Sequence, residues 1–316
     1  MKNRVILLKI FQPLPIRELV IKKYRVTMKK ILALTTILAS MPSLSANKQY
    51  NADLDNSQWY LSSSTPIQCT LEHPIPRYGQ ANFVAKASKQ VNLDFRLDSN
   101  REIPTTELVQ LKSVPPQWRP GSAPEFIDTV KFYQQFDGYV TKQSAWRMLN
   151  ELERGQYPTF YFHDWYNNNQ IISVGLSSVN FNKSYDEFNH CISQLLPYNF
   201  EDISYSILRY KKDGALLTKY SKERLRMIGE YIKHDQNISV ILIAGHSDSY
   251  GGRYSNQLLS EKRANSVKEY LAKLGFNDEK IQVSGFGEKH HIADNRTVLG
   301  RDQNRRVVIS IEKEDI

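Results

Sequence analysis

The chain has 316 residues and a formal net charge of +9 at neutral pH, with 41% hydrophobic residues and only two cysteines. The charge is concentrated at the start: residues 1–46 contain nine Lys and Arg against one acidic residue, which leaves a net charge of +1 for the rest. Nucleic-acid binding therefore loses its compositional support, because it requires a basic surface. The length is sufficient for two hydrophobic cores.

The basic leader has the pattern of a secretory signal peptide. Met28-Lys29-Lys30 precedes a mostly apolar run at residues 31–44, and small residues follow at 45–46. A charged start, a short apolar core and a small-residue exit define such a peptide, and the run is too short to span a bilayer. We expect translation to begin at Met28, residues 1–27 to be an upstream extension, and the product to be exported. Retention as a membrane anchor is the alternative.

Both cysteines, Cys69 and Cys191, lie in the part that we expect to be exported, where oxidation is permitted. A bridge between them would close a long loop and contribute about 4–5 kcal/mol in the chain-entropy model. Two free thiols buried apart are the alternative. No Cys stands directly after the signal, where a lipid would be attached, and no later apolar run approaches the roughly 20 residues of a transmembrane helix.

Residues 47–202 contain short extended segments interrupted by Pro, Asn and Gly. Val91, Leu93, Phe95 and Leu97 alternate with polar residues, which is typical of a half-buried strand. We therefore predict a mainly β domain, either a sandwich or a partly closed barrel.

Two helical segments interrupt these strands. Apolar residues at helical spacing predict one helix that ends at Gly155 and another that ends before Pro197. The second helix carries Cys191, so a disulfide would attach it to the strand that contains Cys69. Its role would be structural.

No catalytic or metal-binding constellation is recognisable in this half. Its histidines His73, His163 and His190 are scattered and lack the spacing of a zinc site, so we expect neither a metal nor a cofactor. The proline-rich segment Pro115–Gly121, which contains Trp118, has the character of a rigid exposed loop. Loops of this kind often contact partner proteins.

Residues 203–316 alternate between strand and helix patterns. We predict strands near residues 204–210, 238–244, 281–283 and 306–311, a turn at Asp213-Gly214, and helices near residues 218–233 and 256–274. The buried stripe of the second helix is expected to consist of Leu259, Val267, Tyr270, Leu271 and Leu274. The order β-α-β-α-β-β predicts a sheet with its helices on one face.

One acidic residue lies in the turn after the second of these strands, and one basic residue lies on the helix that follows. The strand ends at Gly245, Asp248 lies in the turn, and Arg263 lies on the following helix. A short strand-to-helix turn places both residues at the same end of the sheet. The carboxylate suits an ammonium and the guanidinium can bind a carboxylate at two points, so the pair suits a zwitterion. A surface salt bridge worth about 0–1 kcal/mol is the alternative.

The residues around this pair resemble the OmpA-like peptidoglycan-binding family over about residues 203–316. The resemblance rests on Gly245-His246-Ser247-Asp248, Asn256-x-x-Leu259-Ser260-x-x-Arg263-Ala264, Gly285-Phe286-Gly287-Glu288 and Gly300-Arg301-x-x-Asn304-Arg305-Arg306-Val307. Two positions depart from the family pattern: Ser247 replaces the usual Thr, and Ser255 interrupts the usual Tyr-Asn pair. The resemblance implies that the Asp and the Arg bind the diaminopimelate of the wall stem peptide. The residues expected to bind peptidoglycan are Asp248, Arg263, Asn256, Leu259, Arg305 and Arg306.

Arg301, Arg305 and Arg306 form a basic cluster beside the last strand. No aromatic platform accompanies them, so we do not expect nucleic acid as a partner. The histidines of this half have no Ser or Cys nucleophile in a recognisable motif. We therefore expect no catalytic residues and no enzyme activity.

The whole exported part resembles the MotY family, soluble periplasmic proteins of sodium-driven polar flagellar motors. The resemblance rests on the spacing of the two cysteines and on His73-Pro74-Ile75-Pro76, Gln134-Gln135-Phe136-Asp137-Gly138-Tyr139 and Tyr157-Pro158-Thr159-Phe160. Porins, lipid-anchored wall proteins and flagellar stator subunits also carry OmpA-like ends. They require long barrel strands, a lipid-bearing Cys or a transmembrane helix, none of which the sequence pattern supports.

The resemblance implies an α+β protein with a structural role in the flagellar motor and no cofactor. Residues 203–316 would bind peptidoglycan, and residues 47–202 would bind a MotX-like protein and the basal-body ring, so that the stator complex is held in place. A general envelope-stabilising wall-binding protein and a wall-degrading enzyme are the alternatives.

Overall fold

The structure is a computed structural model, and the described residues are 48–103, 105–119, 121, 123–164, 166–167, 170–211 and 216–314. The expected upstream extension and signal peptide, and the expected turn at Asp213-Gly214, lie outside these residues.

The first half of the described chain forms two five-stranded sheets. Its strands are β1 (Gln49–Tyr50), β2 (Tyr60–Thr65), β3 (Gln68–Ile75), β4 (Gly79–Lys86), β5 (Asp94–Ser99), β6 (Glu107–Val114), β7 (Glu125–Phe132), β8 (Gly138–Val140), β9 (Tyr157–His163) and β10 (Ile171–Gly175). One sheet has the order β2-β3-β4-β5-β8 and the other has the order β1-β10-β9-β6-β7.

The two sheets face each other across one aromatic core. Along β5, Phe95 and Leu97 are fully buried while Arg96 between them is exposed, as the period-two pattern predicts. The ring of Phe95 stacks on Phe160 of β9, in the other sheet, with centroids 5.6 Å apart. Phe132 of β7 packs against the same ring. The described strands form two facing sheets and no closed barrel.

Two helices of the first half confirm the helical patterns. Helix α1 spans Lys142–Glu153 and helix α2 spans Phe181–Ser193. Gly155 follows α1 with a φ of 81°, a left-handed conformation that favours glycine and ends the helix. Cys191 of α2 and Cys69 of β3 form the predicted disulfide, with Cα atoms 6.0 Å apart. The bridge fastens α2 to the sheet, and a disulfide of this kind contributes about 2–5 kcal/mol.

The second half is a four-stranded sheet with helices. Its strands β11 (Tyr205–Arg209), β12 (Ile238–Gly245), β13 (Ile281–Gly285) and β14 (Arg306–Lys313) have the order β11-β14-β12-β13. Its helices are α3 (Phe200–Ser204), α4 (Lys219–Ile232), α5 (Arg253–Lys273) and α6 (Val298–Asn304), with a 3₁₀ turn at Asp278–Lys280. The predicted β-α-β-α-β-β order is confirmed, with α3 added before the first strand and α6 added before the last. Among the described residues, no helix has both the length and the apolar character needed to cross a bilayer.

Separate cores accompany the two halves. The first core runs from Trp59 to Cys191 and the second begins at Tyr198. Ile67 and Leu196 of the first half also pack against the second core. The predicted division after residue 202 falls inside α3 and remains a prediction.

The expected buried stripe of α5 is partly wrong. Val267 and Leu271 are buried, but Leu274 is 38% exposed, and Leu259 is only half-buried. The first turns of the helix instead bury polar residues, among them Ser260 and Arg263. The apolar pattern missed this face because its burial depends on hydrogen bonds and close backbone packing rather than on hydrophobicity.

His73 is a fully buried histidine in the first core. Its ring stacks on Trp59 with centroids 4.4 Å apart. Nδ1 lies 2.7 Å from the carbonyl oxygen of Gln58, and Nε2 accepts the N–H of Ser177 at 3.4 Å. Burial lowers the pKa of His73 from 6.5 to about 4, although the bond to Gln58 opposes the shift. Protonation of Nε2 would also remove the acceptor that Ser177 uses.

This arrangement predicts a loss of stability in mild acid. Because the folded pKa is lower than the unfolded one, the contribution of His73 is complete above about pH 6.5 and declines as the pH falls toward about 4. The His73→Gln variant should be less stable at neutral pH, and its unfolding free energy should depend less on pH across this window. Urea unfolding at several pH values measures the difference. His190→Gln, at an exposed histidine, is the control, and an equal pH dependence in all three proteins would contradict the prediction.

Candidate functional site

The candidate site lies where β12 ends and α5 passes over it. Gly245 and Gly285 are paired neighbours at the ends of the parallel strands β12 and β13. A Cβ on either glycine would overlap Ser260 of α5, so glycine is what lets the helix approach this closely. Ser260 Oγ also accepts the N–H of Gly287 at 2.9 Å. This packing places Arg263, one turn further along α5, beside the loop that follows Gly245.

Arg263 is 1% exposed and is held from two sides. Its Nη1 donates to the carbonyl oxygen of His246 at 3.5 Å, and its guanidinium lies 4.8 Å from the ring centroid of Tyr210. Burial lowers the pKa of Arg263, while Tyr210 and Asp248 raise it. The side chain nevertheless remains charged, because an arginine pKa lies far above neutral pH. The structure therefore places a buried cation at the end of the sheet.

Asp248 follows His246 by two residues and is 8% exposed. Its Oδ2 accepts a hydrogen bond from Nη1 of Arg305 at 2.6 Å, and its Oδ1 accepts one from the backbone N–H of Tyr250 at 3.1 Å. Each carboxylate oxygen has two lone pairs, so this pairing leaves acceptor capacity for a ligand. The burial of both Asp248 and Arg263 excludes an exposed surface salt bridge, which was the alternative interpretation.

Arg305 and Arg306 have partners within the protein. Besides Asp248, Arg305 pairs with Asp302 of α6. Arg306 donates from Nη2 to the carbonyl oxygen of His290 at 3.0 Å. Both arginines are nearly buried, with 6% and 5% exposure. In the structure these side chains support the acid and the neighbouring loop, and their contact with peptidoglycan remains a prediction.

Asn256 and Leu259 lie on the first turns of α5, before Arg263. Asn256 is 4% exposed, and its Nδ2 donates to Oε2 of Glu288 at 3.3 Å. Leu259 is half-buried. A role for these two residues in binding peptidoglycan also remains a prediction.

Two residues that support the site were missed from the sequence. Tyr210 donates its hydroxyl to the carbonyl oxygen of Arg263 at 3.1 Å, besides lying under the guanidinium. Asn304 is fully buried and makes four hydrogen bonds to residues 292–295. One of its partners, Asn295 Oδ1, also accepts the N–H of Ser249 at 3.2 Å, so this network joins the two loops beside the pair. Asn304 belongs to the Gly300–Val307 motif that resembles the OmpA-like family. No sequence pattern links Tyr210 to Arg263.

His246 contributes no charge to the site at neutral pH. Burial and the nearby Arg306 lower its pKa from 6.5 to about 4. Its ring stacks on Phe286 with centroids 5.3 Å apart, and its Nδ1 lies 3.3 Å from the carbonyl oxygen of Lys289. In the part of the chain that the structure describes, no three His, Cys, Asp or Glu side chains are grouped so as to hold a metal ion.

Comparison with known proteins identifies both halves. Residues 50–197 match the family described as MotY N-terminal domain, and residues 209–305 match the OmpA family. The sodium-type flagellar protein MotY of Vibrio parahaemolyticus is 46% identical over 295 residues, which cover 92% of this chain and 100% of that protein. The chain belongs to the MotY family. Its fold class is accordingly α+β, with β-sheets first and an OmpA-like α/β sandwich at the end.

More distant relatives match the OmpA-like half. The outer-membrane lipoprotein YfiB of Pseudomonas aeruginosa is 41% identical over 78 residues, which cover 25% of this chain and 46% of that protein. The peptidoglycan-associated lipoprotein from Burkholderia pseudomallei is a solved structure with a TM-score of 0.32 and 24% identity, covering 34% of this chain and 89% of that one. MotY and OmpA-family proteins are structural and non-enzymatic, and membership in these families places the chain in the cell envelope.

The buried Asp248–Arg305 pair predicts a folding defect that the sequence did not. Both side chains are nearly inaccessible, so this is not an exposed ion pair of small energetic effect. Arg305→Met should lower the unfolding free energy by about 3 kcal/mol, because Asp248 keeps its buried charge without its ion partner. Denaturant unfolding measures the change.

Arg296→Met is the matched control, since the Arg296 side chain is 91% exposed and its ion pair with Asp294 contributes little. The double variant Asp248→Asn with Arg305→Met should recover part of the loss. If Arg305→Met unfolds at the wild-type denaturant concentration, the pair does not stabilise the fold.

Proposed function

We propose that this chain is a non-enzymatic structural component of the flagellar motor that anchors the stator around the basal body. Residues 203–316 bind peptidoglycan, and residues 47–202 bind a MotX-like protein and the basal-body ring. The observation that carries the wall-binding part is the buried placement of Asp248 and Arg263 at one end of the sheet.

The ligand chemistry follows from the charges of the pair. The side chain of diaminopimelate ends in an ammonium and a carboxylate, so one zwitterion can satisfy both residues. Asp248 accepts from the ammonium through its remaining lone pairs. Arg263 binds the carboxylate, for which a planar guanidinium has a matching pair of donors.

Access to the pair requires the adjoining loops to separate. Asp248 is 8% exposed and Arg263 is 1% exposed, so neither presents enough surface for a ligand in the described state. The N–H of Ser249 and Oδ1 of Asn295 link the two loops across this end of the sheet. A neutral hydrogen bond of this kind contributes about 1 kcal/mol, which ligand binding can offset.

Binding to the motor is supported by the first half of the chain. The match of residues 50–197 to the MotY N-terminal domain links this half to a flagellar protein family. Its surface also presents large exposed apolar side chains, including Trp118, Phe126 and Phe136. Such residues are enriched where proteins associate. We place the protein in the periplasm, where one half can reach the wall while the other holds the ring.

A wall pull-down tests the proposal with charge-conserving or nearly isosteric changes. Asp248→Asn and Arg263→Lys should each weaken sedimentation of the mature chain with insoluble peptidoglycan, by about 2–5 kcal/mol in binding. Asp248→Asn leaves the ammonium of the ligand without the carboxylate that would pair with it. Arg263→Lys replaces a planar two-point donor by a single ammonium. Asp294→Asn and Arg296→Lys, at exposed residues of the same half, are the controls.

Unfolding curves must accompany the pull-down, because these side chains are buried. Sedimentation at the wild-type level by both folded variants would contradict the wall-binding role. The same variants in a deletion strain separate the motor from general envelope support. Loss of swimming with unchanged detergent resistance supports the motor, whereas detergent sensitivity with normal swimming supports an envelope-stabilising protein.

A further inference from the structure

A groove of about 660 Å³ lies on the first half of the chain, away from the Asp248–Arg263 site. Its floor consists of side chains from β9 and β10, among them Tyr157 and Tyr161. These residues alternate with Phe160 and Phe162 of the core, so the floor is the outer face of the sheet. Two segments form its sides: residues 51–55, which follow β1, and residues 114–118, at the end of β6.

The first side of the groove is a preformed aromatic wall. Trp118 is 53% exposed, and its ring meets Tyr157 edge to face, with centroids 5.9 Å apart. The N–H of Arg119 donates to the carbonyl oxygen of Pro116 at 2.9 Å, which closes a turn. Nη1 of Arg119 donates to the carbonyl oxygen of Arg154 at 3.1 Å and fastens the turn to the end of α1. An aromatic side chain held in this way loses little entropy when a ligand packs on it.

The second side is an acidic turn. Ala52 is 2% exposed and anchors the segment, while Asp53, Leu54 and Asp55 point into solvent. The N–H of Asn56 donates to the carbonyl oxygen of Asp53 at 3.1 Å, so the turn is closed by its own backbone. Among the residues that the structure describes, neither carboxylate takes part in an ion pair.

The charge of the groove selects the ligand. The described lining contains two exposed carboxylates, Asp53 and Asp55. The cations next to it are engaged within the protein: Lys112 lies over the ring of Tyr161, 5.3 Å from its centroid, and Arg119 donates to the carbonyl oxygen of Arg154. A stem peptide rich in carboxylates would be repelled, and a neutral glycan would leave both acids without a partner. An extended segment with Lys or Arg satisfies the acids, and its proline or aliphatic side chains pack against Trp118 and Tyr157. Proline-rich segments dock in aromatic-lined grooves of this kind because they are already extended before they bind.

We propose that this groove binds an extended, positively charged, proline-containing segment of a partner protein. The proposal rests on the proposed function, which assigns partner binding to residues 47–202, and it names the surface and the chemistry of the partner.

Selection from a displayed library of short random peptides on the immobilised mature chain tests the proposal. The selected peptides should be enriched in Lys, Arg and Pro. Trp118→Ala should weaken their binding by about tenfold or more, as loss of a central aromatic does at interfaces. Asp53→Asn combined with Asp55→Asn should weaken it by about threefold to tenfold, with a smaller effect at high salt. Tyr133→Ala and Asp186→Asn, exposed residues outside the groove lining, should bind like wild type.

Four results would overturn the proposal. Selected peptides that bind independently of Trp118 would show that they use another surface. Trp118-dependent peptides without excess positive charge would show that the acids do not select the ligand. Trp118-dependent binding of soluble wall glycan fragments, or a dimer that dissociates in Trp118→Ala, would assign the groove to a glycan or to a second copy. Sedimentation of Trp118→Ala with peptidoglycan separates these results from a failure of wall binding, because the groove variant should sediment like wild type.

Discussion

The close contact between α5 and the ends of β12 and β13 is the constraint on which the second half depends. Gly245 and Gly285 lie side by side in the sheet, and Ser260 of α5 occupies the space that their side chains would need. Because Ser260 packs directly against the backbone of the two glycines, both the position and the rotation of α5 relative to the sheet are fixed. One turn later the helix delivers Arg263 to the loop that follows β12. A larger residue at either glycine would displace the charge as well as the helix.

This geometry imposes an energetic cost that other residues offset. The described part of the second half buries three arginines, Arg263, Arg305 and Arg306, each 6% exposed or less. A buried cation is tolerated when it is paired or hydrogen-bonded. Arg305 meets Asp248, and Arg306 meets a backbone carbonyl of the neighbouring loop. Arg263 lies against the ring of Tyr210 and donates to the carbonyl oxygen of His246.

Local sequence patterns, which span only one helix or strand, predicted most of the fold. The alternation in β5, the helix that begins after Thr218 and the order of the second half are all present. Helix α3 was missed, although Asn199 and Asp202 form a capping box at its start, which is a readable signal. Its shortness explains the omission, because five residues are too few for an apolar period to appear.

The site was predictable in position but not in connectivity. The spacing of Asp248 and Arg263 after a strand was enough to place both residues at one end of the sheet. The partner of Asp248 was not predictable from the sequence, because Arg305 is 57 residues away. Arg305 comes close to Asp248 because β14, which it precedes, pairs with β12. Tyr210 is equally remote from Arg263, and its contact arises because β11 pairs with β14 at the edge of the sheet. Local periodicity carries no information on such pairings.

The proposed wall binding requires the Asp248–Arg263 pair to recognise both charges of one zwitterion. The most direct measurement is a calorimetric titration of the mature chain with two muropeptides that differ only in carrying diaminopimelate or lysine at the branching residue. The lysine peptide keeps the ammonium but lacks the carboxylate, so it should bind at least about tenfold more weakly, and Arg263→Lys should remove most of that difference. Equal affinity of the wild-type chain for the two peptides would contradict the account.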